Sequence, residues 1–360
     1  MTDEQKIDFF LGTHSAKGFI SLFDRLSQPP YQSVLLKSAP GLGCSRLIQT
    51  AVERLEINGY VEQYRCALFP KKLDGICFTH KMLTLLQSFF PHSPTVRFPL
   101  AYENEFLLYD CVDKKEILFE KERLLSLYAS QMQLFKRCYG FLQGVSSLLQ
   151  DSCSMLLPYT DTDKIARYAK RICLKELHKT ENHAPEKKRF LSAVTPDGVI
   201  TLFETVQKLC PKIYAIHDEY GCAQRLLLSS IRSHAQATGQ TFYSCYCPLC
   251  PFEKLDHLLF PEIGIGFVTV HRHNHLNFIP HRNIHFNRFT DANGLRAHKQ
   301  RLSINRKAAA SLLNEAILSL NDAAKVQKEI AAVYQKALNC DQISQKTSEL
   351  MKLLSFYVFS

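Results

Sequence analysis

An internal repeat is the feature that most constrains what this chain of 360 residues can fold into. Two segments of the chain match with no insertion at an offset of 180 residues, and the offset then drifts to 182. The matched pairs are Phe10 and Phe190, Gly18 and Gly198, Gly41 and Gly221, Gly59 and Gly239, and, after the drift, Asp74 and Asp256. Self-similarity over this length predicts two copies of one fold.

Each copy is predicted to contain a strand, a tight glycine turn and a helix, in that order. Residues 34–36 and 213–216 are short apolar stretches, which are typical of buried strands. A turn with Gly41 or Gly221 follows, and then a segment whose apolar residues fall on one helical face. A short amphipathic helix is predicted ahead of each strand. This order opens a parallel α/β domain.

The predicted domain boundaries follow from composition. We predict a first domain over residues 1–177, with a helical extension over about 116–177, and a polar linker over 178–188. The second domain is predicted over 189–360, with a helical extension over about 295–360. The chain is 46% hydrophobic, enough for two ordinary cores. The two extensions are predicted to pack together and to relate the copies by a pseudo-twofold axis.

The first glycine turn lies where a phosphate-binding loop would lie. Such a loop follows the pattern GxxxxGK[ST], in which backbone N–H groups and the lysine hold phosphates and the hydroxyl binds magnesium. Residues 38–45 read SAPGLGCS, so Ser38 replaces the first glycine and Cys44 replaces the lysine. The candidate nucleotide-binding residues are Pro40, Gly41, Leu42, Gly43, Cys44, Ser45 and Arg46.

The second glycine turn departs further from this pattern. Residues 218–225 read DEYGCAQR and keep one glycine. Asp218 and Glu219 stand where phosphate charge would approach, and we expect them to repel a nucleotide. The corresponding candidate residues are Gly221, Cys222, Ala223, Gln224 and Arg225.

With its tandem layout, its FLG leader, its KSAPGLGCS turn and a later LD, the chain resembles a poorly characterised bacterial family of ATPase-like proteins. The resemblance implies two P-loop NTPase-like domains, each with a helical extension. In that family the loop reads KGGPGTGKST, and a later strand ends in an acidic residue followed shortly by Pro-His. The matched positions here are Asp74, Gln87, His92, Asp256 and His275.

The departures from the family fall on residues that would perform the chemistry. Gln87 and, in the second copy, Val270 stand at the acidic position, and neither copy has the lysine. Because phosphoryl transfer depends on positioning and charge neutralisation, we expect a pseudo-ATPase that acts as a binding or scaffold module. Its partner would be another protein or a second copy of the chain. ATP binding by the first copy is a possible remnant, and an active ATPase with a lysine supplied from elsewhere is the alternative.

A cluster of cysteine and histidine residues in the second copy suggests a third hypothesis, a zinc site. Thiolates and imidazoles are the ligands that zinc prefers. The candidate ligands are Cys245, Cys247, Cys250, His271, His273 and His275. The competing interpretation is that the cysteines are small buried residues and the histidines line a polar edge.

Charge and hydropathy exclude several function classes. The net charge of +10 permits an anionic partner, but the basic run over 296–307 has no interleaved aromatic residues, so nucleic acid is not favoured. No apolar run approaches the length of a membrane-spanning helix, and the start of the chain lacks a signal-peptide pattern. We expect a cytoplasmic protein without membrane contact, with its cysteines reduced.

Overall fold

The first half of the chain forms one six-stranded sheet with a hairpin and five helices. The computed structural model describes residues 6–55, 59–92, 96–180, 186–271 and 276–359. The elements of the first half are β1 (Lys6–Phe10), β2 (Gly12–Ser15), β3 (Gly18–Ser21), α1 (Phe23–Leu26), β4 (Gln32–Lys37), α2 (Cys44–Arg54), β5 (Val61–Arg65), β6 (Leu73–Phe78), β7 (Leu83–Ser88), β8 (Glu103–Leu107), α3 (Lys114–Phe119), α4 (Lys121–Leu156) and α5 (Thr162–Glu176). The strand order in this sheet is β1-β5-β6-β7-β4-β8.

The second half repeats this arrangement. Its elements are β9 (Glu186–Arg189), β10 (Ser192–Thr195), β11 (Gly198–Thr201), α6 (Phe203–Leu209), β12 (Lys212–His217), α7 (Cys222–Ala237), β13 (Phe242–Tyr246), β14 (Leu255–Phe260), β15 (Ile265–Val270), β16 (Arg282–His285), α8 (Ala292–Lys336) and α9 (Cys340–Phe359). Its sheet runs β9-β13-β14-β15-β12-β16, which is the order of the first sheet. The internal duplication predicted from the repeat is therefore confirmed.

Both sheets are mixed, which corrects the prediction of parallel sheets. Strand β6 is antiparallel to β5 and β7, and β14 is antiparallel to β13 and β15, whereas the other pairs are parallel. The connections into and out of β6 are the short segments 66–72 and 79–82. A parallel crossover needs about a dozen residues or more, so these connections permit only an antiparallel strand. The start of β6 consequently lies beside the ends of β5 and β7.

Each half begins with an edge strand, β1 or β9, and a hairpin, and the short helix expected at its start forms only after them, as α1 or α6. Strands β2 and β3 pair antiparallel, as β10 and β11 do, and α1 begins only at Phe23. Gly18 closes the first turn with φ +93°, and the Ser15 hydroxyl accepts from the Lys17 N–H and donates to the Gly18 carbonyl. Thr195 and Gly198 repeat this turn. A positive φ six residues after the start of β2, at Gly18, and of β10, at Gly198, stops helix formation.

The helices α2 and α7 pack one apolar face on the sheet of their own half, as their spacing predicts. Leu47, Ile48 and Ala51 of α2 lie in one buried cluster with strand residues of the first sheet. Leu227 and Ile231 of α7 do the same in the second half. Burial of such side chains contributes about 1.5–3 kcal/mol each.

Two long helices, α4 and α8, run antiparallel to each other and join the halves. The Gln131 side chain contacts Gln327 and the carbonyl of Ala323, and Asp151 at the far end of α4 accepts from Asn305. The seam between them is apolar. Its buried residues are Phe135, Cys138, Leu142, Val145, Ala309, Leu313, Ala316, Leu320 and Ala323.

The helices that follow α4 and α8 are exchanged between the halves. Ile165 and Ile172 of α5 pack in the same cluster as Leu227 of the second half. Leu350 and Leu354 of α9 pack in the cluster of the first sheet. Each half therefore completes its core with a helix that follows the other half in the chain.

The predicted linker over 178–188 lies only partly within the described residues. Residues 181–185 fall outside them, and Glu186 already begins β9. In the parts of the chain that the structure describes, no helix is long and apolar enough to cross a membrane.

Candidate functional site

A cavity of about 520 Å³ lies at the carboxyl ends of β4, β5 and β7. Its walls are the loop after β4, the turn between β5 and β6, the segment after β7 and one face of α8. All seven candidate residues from Pro40 to Arg46 line it, as do Asp74, Gln87 and His92. The carboxyl edge of parallel strands is where ligands bind in open α/β sheets, so this cavity is the candidate site.

The first glycine loop presents backbone N–H groups to this cavity. Gly41 has φ +92° and Gly43 has φ +82°, and α2 begins directly after Gly43. Within the described residues, the backbone N–H groups of Gly41, Gly43, Cys44 and Ser45 have no hydrogen-bond acceptor. A helix N-terminus carries partial positive charge. The loop can therefore hold an anion.

The side chains of the loop are less suited to phosphate chemistry than its backbone. The Cys44 thiol is buried in the apolar cluster of the first sheet, and burial raises its pKa to about 12. The Ser45 hydroxyl accepts from the Leu73 N–H at 2.9 Å. Arg46 is exposed at the rim. The loop itself thus places no ammonium group at the centre of the cavity.

Behind the loop, four side chains form a hydrogen-bonded network. His92 Nε2 lies 3.1 Å from Asp74 Oδ2, and His92 Nδ1 lies 2.8 Å from Ser21 Oγ. Gln87 Nε2 lies 3.5 Å from the other Asp74 oxygen. Ser21 Oγ also accepts from the Phe23 N–H and is absent from the cavity wall, so Ser21 holds His92 rather than presenting a nucleophile. The matched positions Asp74, Gln87 and His92 are therefore brought together.

Several cavity residues were missed by the sequence analysis. Three of them, Lys71, Lys72 and Lys328, are cations, and together with Arg46 they outnumber Asp74, the one carboxylate on the wall among the described residues. The match of Lys72 to Lys254 at the offset of 182 was a signal that could have found it. The lysine on α8 carries no such signal because α8 is distant in the chain.

His14 is a buried polar group on the same wall. Burial, together with the nearby His92, lowers the pKa of His14 to about 3, so its ring is neutral at physiological pH. Its Nδ1 lies 3.4 Å from the Tyr139 hydroxyl, and its Nε2 has no hydrogen-bond partner among the described residues. A ligand in the cavity could satisfy Nε2, since a buried polar atom without a partner is costly.

The second glycine turn is occupied by its own side chain. Asp218 Oδ1 accepts from the N–H groups of Tyr220 (3.0 Å) and Gly221 (2.9 Å), and Oδ2 accepts from that of Gln224 (3.0 Å). Helix α7 begins at Cys222, two residues earlier than α2 relative to the repeat. Ala223 stands at the position of Gly43 and continues the helix, because a side chain disfavours the positive φ of an open loop.

A lysine from the neighbouring turn lies on this second loop. Lys254 Nζ lies 3.2 Å from Asp256 Oδ1, and its side chain packs so closely on Gly221 that an added Cβ there would lie 3.4 Å from Nζ. Gln224 Nε2 donates to the same carboxylate at 2.9 Å. Burial raises the pKa of Asp256, but Lys254, His257, His271 and the hydrogen bond from Gln224 together outweigh burial and leave that pKa well below its usual range. The corresponding cavity has a volume of only about 170 Å³.

Two further matched positions of the second half need comment. The strand register pairs Leu36 with Gln87 and Ile216 with Thr269, so Thr269, rather than Val270, is the counterpart of Gln87. His275, the proposed match of His92, lies outside the described residues.

The predicted zinc ligands are not assembled in the part of the chain that the structure describes. Cys245 packs in the apolar core, whereas Cys247, Cys250 and His271 line the second cavity. No group of three or more metal-binding side chains is found among the described residues, and His273 and His275 lie outside them. Burial raises the pKa of Cys247 to about 12, which disfavours the thiolate that a metal needs.

Comparisons of the chain with protein-family models, with curated proteins and with solved structures found no significant match. The resemblance to tandem ATPase-like proteins therefore stays a prediction. What the structure establishes is a duplicated α/β chain, in which two mixed six-stranded sheets share one strand order and each carries a glycine turn at its carboxyl edge.

Proposed function

We propose that this chain is a non-hydrolysing, P-loop-like binding protein whose first loop holds the phosphate of a nucleotide-class ligand. The second loop is closed by the chain itself. One observation carries the proposal: the turn that is open in the first half holds the Asp218 carboxylate through three N–H groups in the second. Asp218 thus does more than repel a phosphate, because its carboxylate occupies the position that an anionic ligand would take.

The charge and the lining of the first cavity support an anionic ligand with an apolar body. Of the residues that the structure describes, four cations and one carboxylate line the cavity. Aromatic side chains form part of the remaining wall, and such walls suit a flat ring. These residues are Phe19, Phe69, Phe89, Phe90 and Phe135. A charge-assisted hydrogen bond contributes about 1.5–3 kcal/mol, so a few such bonds from the loop would hold an anionic ligand.

The absence of hydrolysis is proposed from the side chains around the loop. Cys44 replaces the phosphate lysine, Gln87 replaces the strand-end carboxylate, and the Ser45 hydroxyl is already used by the Leu73 N–H. Asp74 is the carboxylate that lines the cavity in the described part of the chain, and it is hydrogen-bonded to His92. Without the lysine and a free metal carboxylate, charge on a transferring phosphoryl group would be poorly neutralised. A binding or scaffold role follows.

The long helix α8 links the proposed ligand site to the rest of the molecule. Gln327, Lys328, Ala331 and Gln335 of α8 line the first cavity. The other end of α8 lies in the second half, where Leu302 and Arg306 line the second cavity. A ligand in the first cavity would therefore contact a helix that both halves share. Through this helix, ligand binding would affect the association with a protein partner or a second copy of the chain.

The proposal is tested by calorimetric titration of the full chain with pyrophosphate and with MgATP. We expect one site per chain and no release of phosphate from ATP. Ser38→Asp introduces a carboxylate at the position of Asp218 and is expected to abolish binding, because the loop would then hold its own anion. Ser38→Asn has the same size without the charge and serves as the control, with thermal unfolding to verify that both variants fold.

Three outcomes would contradict the proposal. Failure of the wild-type chain to bind either probe at millimolar concentration would remove the phosphate site. Two sites per chain would mean that Asp218 does not close the second loop. Phosphate release that depends on the chain would favour the alternative of an active ATPase.

A further inference from the structure

We propose that Lys72, supplied by the turn between β5 and β6, is the cation that contacts the ligand phosphate in the first cavity. It would replace the lysine that the loop lacks at Cys44. The inference rests on the proposed function, because it assigns a residue to the same site. The ligand class is a phosphate ester or anhydride.

Lys72 and Lys254 hold corresponding places in the two halves. The Cys66 N–H donates to the Lys72 carbonyl at 3.0 Å, and the Cys247 N–H donates to the Lys254 carbonyl at 2.9 Å. A buried aspartate, Asp74 or Asp256, follows two residues later in each half. The turns are therefore equivalent, although the second is one residue longer.

The second half shows where such a lysine goes when the loop holds an anion. The Lys254 ammonium lies on Gly221, close to the Asp218 carboxylate that the loop binds. Burial lowers the pKa of Lys254, but Asp256, Cys247 and Asp218 together outweigh burial and keep that pKa above its usual range. The ammonium therefore stays charged beside the bound carboxylate, as a phosphate-contacting lysine must.

The corresponding lysine of the first half, Lys72, lies on an aromatic ring. Lys72 is exposed, and its Nζ lies 4.9 Å from the centroid of the Phe69 ring. Asp74, the counterpart of Asp256, is bound to His92 and does not hold the lysine. Lys72 therefore has an exposed cation–π contact, which is weaker than a charge-assisted hydrogen bond to phosphate.

The path from Lys72 to the loop is short. The Leu73 N–H donates to Ser45 Oγ at 2.9 Å, so the backbone beside Lys72 touches the first turn of α2. Lys72 and the loop also line the same cavity. A rotation of the lysine side chain, without a change in the backbone, would carry its ammonium to an anion held by the loop.

The matched variants Lys72→Met and Lys71→Met test this assignment. Both lysines are exposed and both line the cavity, so both variants are expected to fold. Calorimetric titration with pyrophosphate and MgATP should show affinity lower by about 10- to 100-fold for Lys72→Met. For Lys71→Met the loss should stay below about 5-fold, the effect of an exposed charge.

A second measurement reports position directly. Lysine acetylation of the wild-type chain, read by mass spectrometry, should be slowed at Lys72 but not at Lys71 when pyrophosphate is added. The assignment is wrong if Lys72→Met binds the probes as well as the wild type does and if pyrophosphate does not slow acetylation of Lys72 in the wild-type chain. The proposed function would survive this outcome. An equal loss of affinity in Lys72→Met and Lys71→Met would mean that the ligand is attracted by the overall positive charge of the cavity. This outcome would also overturn the assignment of Lys72. A wild-type chain that binds neither probe would overturn both proposals.

Discussion

At the scale of single residues, a few sequence differences distinguish the two glycine turns. Ser38 keeps its hydroxyl on the Ala39 carbonyl, whereas Asp218 at the matching position binds three backbone N–H groups. Gly43 allows the positive φ that keeps the first loop open, and Ala223 does not. Charge at one position and a Cβ at another therefore decide whether a turn is open to a ligand.

Cys44 is the residue whose replacement best tests the first loop. We predict that Cys44→Lys lowers the free energy of unfolding by about 3 kcal/mol or more, because it puts an unpaired ammonium into an apolar cluster. Urea unfolding followed by circular dichroism measures this loss. Cys44→Ala, which removes one sulfur atom from the same site, is expected to cost only about 1 kcal/mol.

The opposite outcome for Cys44→Lys would also be informative. A variant as stable as the wild type that gains affinity for pyrophosphate would show that the side chain at this position can turn into the cavity. The burial of the Cys44 thiol would then not be what keeps a lysine out of the loop.

The packing of α8 on the first loop is the decisive contact at the scale of elements. A Cβ added to Gly41 would lie 2.5 Å from the backbone carbonyl oxygen of Ala331, whereas one added to Gly43 would meet no atom within 4 Å. Both glycines have positive φ. The two positions therefore share the same backbone strain and differ in the contact with α8.

This difference gives a matched pair of variants. Gly43→Ala is expected to cost about 1–2 kcal/mol of stability through the positive φ alone. Gly41→Ala should cost about 3 kcal/mol or more, because the backbone of α8 must also move. Chemical unfolding of both variants gives the comparison, and hydrogen exchange across α8 should increase only for Gly41→Ala. Equal losses would mean that α8 does not press on the loop.

At the scale of the whole molecule, the halves are held together by buried polar contacts as well as by exchanged helices. Arg189 of β9 lies 2.6 Å from the Glu62 carboxylate of β5, and both are buried. The hydroxyls of Tyr64 and Tyr243 donate to the same carboxylate. The Phe10 N–H donates to the Phe190 carbonyl at 2.8 Å beside this group. The two sheets therefore meet through their matching edge strands.

The pH dependence of stability follows from this interface. Burial raises the pKa of Glu62, but Arg189, the Tyr64 hydroxyl and Lys187 together outweigh burial, so the pKa lies below its ordinary value of 4.5. A carboxylate with a lowered folded pKa stabilises the fold above the unfolded value, and this contribution is lost as the pH falls through the folded pKa. We predict that Glu62→Gln costs about 3 kcal/mol at neutral pH. The difference in the free energy of unfolding between the wild type and Glu62→Gln should narrow below pH 4.5.

An exposed ion pair provides the control for this experiment. Asp322→Asn removes the partner of Lys325 on α8, where both side chains are mostly exposed. Its effect on urea unfolding is expected to stay within about 1 kcal/mol. The opposite result is that the free energies of unfolding of the wild type and Glu62→Gln differ by the same amount from neutral pH to about pH 3. That result would contradict the assigned role of the Glu62 carboxylate.

Local patterns in the sequence predicted much of the fold. The repeat predicted two similar domains, and short apolar runs placed β4 and β12 before their glycine turns. The spacing of apolar residues placed α2 and α7 correctly. The patterns failed at the start of each half, where a hairpin turn at Gly18 overrides helical periodicity, and at β6, whose direction depends on the length of its connections.

The sequence also indicated the first glycine turn as the better candidate for a ligand, but it missed the lysines that line the cavity. By itself the sequence determined the positions of β4, β12, α2 and α7 and of the glycine turns between them, because each of these rests on neighbours in the chain. Only the tertiary structure decided that Asp218 folds back onto its own loop, that Lys254 joins it and that α8 covers the first cavity. Those outcomes depend on contacts between segments far apart in the sequence or on the direction a side chain takes, and no periodicity encodes either.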